Sequence, residues 1–463
     1  TPAQQVFRIL LHESPSQESA QKYLSQLGQK SLQAELLTAG EALMSSKQVI
    51  VDRRFHRVLL TKVFDTETEA DLYLKTSPDL PSGRVVSEML RPAHGQIRLV
   101  SPSGHEYTLQ DAIRLSGSPI TLKQVEVGTG FQWARQESRT YRGEMEIRID
   151  AAGKLVAINV LSLEEYLRGV LAAEMSANFP QEALKAQAVA ARTYFLYNFG
   201  RLHRQESFDV CDDVHCQAYS GIAKESERIT HSVNATRGLV LMHNGALCIT
   251  PFNAVCGGHG ESAENVWESD GMPYLQGEFD LDSPEIQNGS FDFAKEENVR
   301  TWIASRPKVY CNSAIMGNPD FAAYTTSYFR WEYRIPRMEL EQLLLERTGR
   351  QIGSLVDILP RKRGRSGRLS EVEVIGTLDS VAVRKELNIR RALCKNTLNS
   401  ACFVVDKVGG TGELAEEFVF RGAGWGHGVG MCQTGAAIMA LQGKDFDKIL
   451  DHYYRGAKLQ QLY

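Results

Sequence analysis

The chain has 463 residues, 43% of them hydrophobic and 23% charged, enough for roughly two to four domain cores and too apolar for intrinsic disorder. Its 52 Lys and Arg against 56 Asp and Glu leave a formal net charge of -4. That balance argues against a nucleic-acid or polyanion scaffold, and no run reaches the ~18–20 continuous apolar residues of a spanning helix.

An alternating apolar segment from Gln5 to Glu13 predicts a first strand, and a helix is expected from Ser16 to Leu27. Strand candidates follow at Leu32 to Leu37, Lys47 to Val51 and Arg57 to Val63, ahead of the acidic, helix-favouring Asp65 to Leu74. The order is close to βαββαβ. Thr76 to Gly95, with Pro78, Pro81, Gly83 and Pro92, reads as a linker, and β-rich sequence runs on to about Val160. From Leu161 to Phe199 the pattern turns helical, breaks at Asn178 to Pro180 and resumes, which predicts a helix pair. Beyond Ile249 the sequence is mixed, with a helix candidate at Arg337 to Arg347 and a basic turn, Arg361 to Arg368, read as a solvated loop. The expected fold class is α+β: a small βαββαβ domain over residues 1–85, then a mixed region over residues 86–463.

Two charges interrupt the apolar faces of the helix pair. Leu163, Tyr166, Leu167, Val170 and Leu171 form one stripe whose next positions are Glu174 and Met175, and Arg192 falls on the buried face set by Leu184, Ala188, Ala191, Phe195 and Phe199. One reading is a buried structural ion pair. The other is a general acid: a carboxyl group among apolar neighbours at a helix C-terminus has its anion disfavoured and its pKa raised. Arg192 would then orient Glu174 or hold substrate.

Phe208 to Gly221 crowds Cys211, His215 and Cys216 into six positions, a spacing that suits one Zn²⁺ with His203 as fourth ligand. A Cys211–Cys216 disulfide and two unrelated thiols are the alternatives. A cysteine-protease reading is weaker, since no His and Asn or Asp can be assigned to orient Cys216. Downstream, Phe252 to Leu275 carries a Gly-Gly-His turn. Arg421 to Ala436 places glycines at 422, 424, 426, 428, 430 and 435, letting backbone approach a ligand closely. This is not a phosphate loop, because no Gly-Lys-Ser/Thr follows. Trp425 and His427 on it are candidates to stack on, and hydrogen-bond to, a sugar ring.

Taken together, LSLEEYLRGVLAAEMSANFPQEALKAQAVAARTYFLYN, FDVCDDVHCQAYSG, CGGHGESAENVW with PYL, and GWGHGVGMCQTGA resemble the SpoIID/LytB family (sporulation stage II protein D-like) over about residues 90–463. Arg57 to Thr76 resembles the SPOR family, which binds peptidoglycan glycan strands; a generic ferredoxin-like domain is the alternative. The resemblance implies an exported, periplasmic or envelope-associated peptidoglycan lytic transglycosylase. Such an enzyme cuts between N-acetylmuramic acid and N-acetylglucosamine in denuded strands and works beside an N-acetylmuramoyl-L-alanine amidase. The family's catalytic glutamate falls on Glu174, its helical arginine on Arg192 and the tyrosine of its Pro-Tyr-Leu segment on Tyr274. Where active members commonly carry Lys, this chain has Gln276. Some members bind zinc through a Cys/His cluster like Cys211, His215 and Cys216, a structural role here.

The rival implied by the same resemblance is a non-catalytic, amidase-enhancing glycan binder, favoured by Gln276. A zinc hydrolase is a weaker third reading, because Cys-rich zinc sites are usually closed. A start at Thr1 without Met reads as the scar of export. The six cysteines outside the cluster, Cys248, Cys256, Cys311, Cys394, Cys402 and Cys432, are candidates for disulfide pairing in an oxidising compartment.

Overall fold

In a computed structural model, every residue is described except 30–31, 46–47, 118, 129–133, 205, 268–270, 282–290 and 318–319. The fold is mixed α+β. Strand β1, Gln4–Ser14, has nearly continuous buried residues from Val6 to Leu11 because it lies inside a sheet. Helix α1 (Gln17–Gln29) follows, then strands β2 (Ala34–Ala39), β3 (Ala42–Ser45), β4 (Gln48–Asp52) and β5 (Phe55–Leu60), helix α2 (Glu67–Thr76) and strand β6 (Arg84–Arg91). The Thr66 hydroxyl caps α2 by accepting from the Glu69 N–H at 3.2 Å. The antiparallel order β2-β5-β1-β6 is the split-βαβ, ferredoxin-like arrangement. Ile9, Leu11, Ala20, Leu27, Val58 and Ala70 fill its core.

Two expectations change here. The segment Lys47 to Val51 forms no part of that sheet: β4 pairs with β3 as a separate hairpin, and Lys47 itself lies outside the described residues. Thr76 to Gly95 is more than a linker, because β6 pairs with β1 along its whole length. Its prolines flank the strand, where no ladder N–H is required, so the sheet runs six residues past position 85.

The β3–β4 hairpin docks onto the rest of the molecule. Val51 enters the central core. Arg53 donates to the carbonyls of Tyr197 at 2.8 Å, Phe199 at 3.2 Å and Leu196 at 3.3 Å, placing a cation on the orphan carbonyls of a helix C-terminus. That helix is α4 (Gln181–Asn198), paired with α3 (Leu163–Glu174) as predicted. A capping box between Ser162 and Glu165 starts α3. Alanines at 183, 186, 188, 190 and 191 leave α4 buried on almost every side, letting α3, α5 (Glu227–Ala235) and the helix Gln433–Leu441 approach it.

The predicted helix at Arg337 appears as Arg337–Thr348, ended by Gly349 with φ 67°. It packs on a core built around Leu340, Leu344, Val372, Ile389, Phe403 and Phe420. The basic turn is a correction. Arg368 is 2% exposed and donates to the carbonyls of Cys256 at 2.9 Å and His259 at 3.3 Å. Glu261 accepts from the backbone N–H groups of Arg365 and Ser366. The turn clamps the Gly-Gly-His segment through Ser366, Arg368 and its backbone, while Arg361, Lys362 and Arg365 remain exposed. Among the described residues no helix is long and apolar enough to cross a membrane.

Candidate functional site

Glu174 is the last residue of α3 and its carboxyl turns inward. Oε1 accepts the Ala218 N–H at 2.9 Å, and the Gln433 amide, which donates to Gln187 Oε1 at 3.4 Å, lies close enough to favour the anion as well. Burial pushes the pKa up to about 7, outweighing both donors, and no charge among the described residues contributes. Tyr166 and Tyr194 lie within reach of its charge. The group is thus a proton carrier poised near neutrality, beside two neutral donors.

Arg192 is not its partner, which corrects the expectation that these two charges meet or that this side chain holds substrate. Its guanidinium is fully buried and makes a bidentate pair with Glu164, Nε to Oε1 at 2.9 Å and Nη2 to Oε2 at 2.8 Å. The carbonyls of Leu239 and Val233 take two further donor contacts. Against the burial that raises it, Arg192 and then the Tyr463 hydroxyl hold the Glu164 carboxyl below its ordinary pKa. The Arg192–Glu164 pair ties α3, α4, α5 and Tyr463 together. Glu164 carried a signal: it precedes Leu167 and Leu171 by three and seven positions, on their buried face.

The metal-ligand expectation gains a geometry. One ligand atom each from His203, Cys211, His215 and Cys216 lies within 4.8 Å of the others. His203 Nε2 is 3.2 Å from Cys216 Sγ, and His215 Nδ1 is 3.6 Å from Cys216 Sγ and 3.8 Å from Cys211 Sγ. His203 reaches the group from a backbone with φ 52°. The hydrogen bond from Cys216 pulls the Cys211 thiol down to about 4, and the same pairing pushes Cys216 up. Two sulfurs and two imidazole nitrogens at these separations fit a closed tetrahedral zinc site. The loop they shape delivers the Ala218 N–H to Glu174.

The remaining candidates are placed as follows. Tyr274 is buried, its hydroxyl accepting from the Ile249 N–H at 3.1 Å and donating to the Met272 sulfur at 3.2 Å. Gln276 donates from its amide to the Met272 carbonyl at 3.0 Å. On the Gly-rich loop, Trp425 stacks on Tyr328 with centroids 4.1 Å apart, and His427 meets Trp267 at 5.0 Å. Burial, reinforced by Arg368 and Arg390, pushes the His427 pKa down to about 3, and Nδ1 accepts the Val429 N–H at 3.0 Å. Its ring is therefore neutral. The loop reaches Glu174 through Gln433, which follows the parallel pairing of Phe252–Asn253 with Met431–Cys432. Sequence reasoning missed Gln433 and Ala218, although both lie inside motifs it singled out.

None of the eight cysteines forms a disulfide. Of the six proposed for pairing, Cys256, Cys311 and Cys432 gather around Asp280, and Cys402 donates to the Ser366 carbonyl at 3.4 Å.

Residues 151–243 match the SpoIID family of stage II sporulation proteins, and residues 261–430 match a domain of unknown function, DUF8618. The chain is 30% identical over 305 residues to an uncharacterised protein of Brachyspira hyodysenteriae, a match covering 66% of this chain and 68% of that one. It is 28% identical over 319 residues to stage II sporulation protein D of Bacillus amyloliquefaciens, covering 66% and 76%. To the amidase enhancer of Bacillus subtilis it is 27% identical over 319 residues, covering 63% of this chain but only 40% of the relative.

Proposed function

Because the chain belongs to the SpoIID family, we propose that it is an exported peptidoglycan lytic transglycosylase acting on denuded glycan strands. The observation that carries this reading is the half-buried Glu174, whose carboxyl group desolvation raises to about 7 with no second carboxylate among the described residues contributing. Glycoside hydrolases pair two carboxyl groups to handle acid and base or nucleophile separately. A transglycosylase needs one.

Protonated Glu174 gives its proton to the glycosidic oxygen as the muramoyl C1–O bond breaks, releasing the N-acetylglucosamine hydroxyl. The resulting carboxylate, held by the Ala218 N–H and favoured by the Gln433 amide, then takes the proton from the muramoyl C6 hydroxyl as O6 bonds to C1. Glu174 ends protonated, the product is a 1,6-anhydromuramoyl end, and no water is consumed. A pKa near 7 lets one group act in both directions. Trp267, Trp425 and His427 supply aromatic and imidazole surface beside the Gly-rich loop, suited to sugar rings. A zinc ion held by His203, Cys211, His215 and Cys216 would be structural, fixing the loop that presents Ala218. The ferredoxin-like unit, read as a SPOR-like strand binder, would raise the local concentration of substrate.

The test is incubation with amidase-treated glycan strands and mass spectrometry of the products. The unaltered chain is expected to yield anhydromuramoyl ends and Glu174→Gln none; equal product from both overturns the assignment. The second reading, a non-catalytic amidase enhancer, is favoured by Gln276, whose amide is spent on the Met272 carbonyl where active members place a cation. It predicts faster hydrolysis by an added amidase with no anhydro ends.

A further inference from the structure

Four segments far apart in the sequence deliver Cys256, Asp280, Cys311 and Cys432 to one point in the interior. One ligand atom from each lies within 4.8 Å of every other. Their residues are 3%, 2%, 0% and 0% exposed, and none belongs to the cluster that supports the Glu174 loop. We propose that they form a second metal site, holding one thiolate-preferring divalent ion of the zinc class.

The geometry fits a single ion. A tetrahedron with Zn–S bonds of about 2.3 Å sets its sulfurs about 3.8 Å apart, and Cys256 Sγ lies 3.5 Å from Cys311 Sγ. Three thiols with one carboxylate form a donor set for zinc; Mg²⁺ and Ca²⁺ call for oxygen throughout. One disulfide could account for only two of the three thiols, leaving a thiol and a carboxylate buried together. Buried charges are otherwise paired or bound to metals. Arg330, whose charge reaches Cys256 and Cys311, directs its donors to the carbonyls of Ile303, Ser305, Gly257, Phe329 and Trp302.

The surroundings are those of ligands held in place by an outer shell. Asp280 Oδ2 accepts the Cys311 N–H at 2.8 Å and Oδ1 the Tyr453 hydroxyl at 2.7 Å, with His452 Nε2 at 3.9 Å. Cys432 Sγ accepts the N–H groups of Cys256 at 3.3 Å and Gly435 at 3.4 Å. Gly435 is required there, since a Cβ on it would stand 2.7 Å from Asp280 Oδ1. Cys432 also caps the helix Gln433–Leu441, so the ion would fix Gln433 against Glu174. That last consequence rests on the catalytic reading; the site itself does not.

The test is metal counting by mass spectrometry on the full chain, purified without chelator, beside a thiol titration of the denatured, unreduced protein. Expected are one zinc-class ion that survives Cys216→Ser and is lost in both Asp280→Ala and Cys432→Ser, with all eight cysteines titrating as thiols. Two observations on the unaltered chain overturn the proposal whether or not the variants fold: no bound metal, or two thiols missing to a Cys256–Cys311 disulfide. Undiminished metal in folded Cys432→Ser overturns it as well.

Discussion

Replacing Glu174 with Gln separates the physical basis of the site from its chemistry. The substitution keeps the side chain's size and leaves an amide oxygen for the Ala218 N–H. Burial holds the wild-type carboxyl at about 7 against an ordinary 4.5, so the fold binds this proton more tightly than the unfolded chain does. The contribution is fully present below about pH 4.5 and is lost as pH rises through about 7. At about 1.4 kcal/mol per pH unit, the 4.5-to-7 difference corresponds to about 3 kcal/mol. The wild type carries that penalty at pH 8 and the variant does not. Glu174→Gln is therefore expected to match the wild type near pH 4.5 and to exceed it by up to about 3 kcal/mol at pH 8. With an unfolding entropy of about 2.1 cal/mol/K per residue, this is a rise of roughly 3 °C in Tm if the chain melts as one unit. Calorimetric melts of both proteins from pH 4.5 to 8.5 measure it. A difference in Tm that stays constant across that range would refute the raised pKa, and with it the reason for choosing Glu174 as the acid.

Arg192→Met leaves Glu164 buried without its cation and is expected to cost about 3–5 kcal/mol, read as a lower urea midpoint; a loss under 1 kcal/mol means the pair is not structural. Deleting residues 1–91 is expected to weaken sacculus pull-down about tenfold or more, with circular dichroism checking that the remainder folds; unchanged pull-down removes the strand-binding role of the first unit.

Local patterns carried much of this structure, and the failures share a cause. Alternation and helical periodicity are properties of consecutive residues, so β1, α1, α2 and the helix pair appear within a few residues of where periodicity puts them. Glu174 was visible because a carboxyl on a stripe of Tyr166, Leu167, Val170 and Leu171 violates the pattern that buries the stripe. The identity of its partner was not, because a violation says that a charge is inside but not what meets it. Two inward charges on adjacent helices suggested each other, and the fold instead gave Arg192 to Glu164 and left Glu174 to a backbone N–H and an amide.

The two cysteine clusters show the same limit from the other side. Cys211, His215 and Cys216 share one loop, so their spacing suggested a ligand set with His203 upstream, beside a disulfide or unrelated thiols, and the structure brings the four side chains together. Cys256, Asp280, Cys311 and Cys432 share no segment, and their meeting depends on the Gly-Gly-His turn, the basic turn and the Gly-rich loop folding against one another. Gly257, with φ 81°, shows how tight that fit is: a Cβ there would come within 2.9 Å of the backbone at Ala423 and Gly424. Gly257 in the Gly-Gly-His turn, and Gly435 among the glycines read from sequence as room for a ligand, both serve to let backbone and side chains converge. The density of glycines therefore marks where distant segments are packed together as much as where a sugar would sit, which is why the Gly-rich loop could be assigned to the site from sequence but its connection through Cys432 and Gln433 could not.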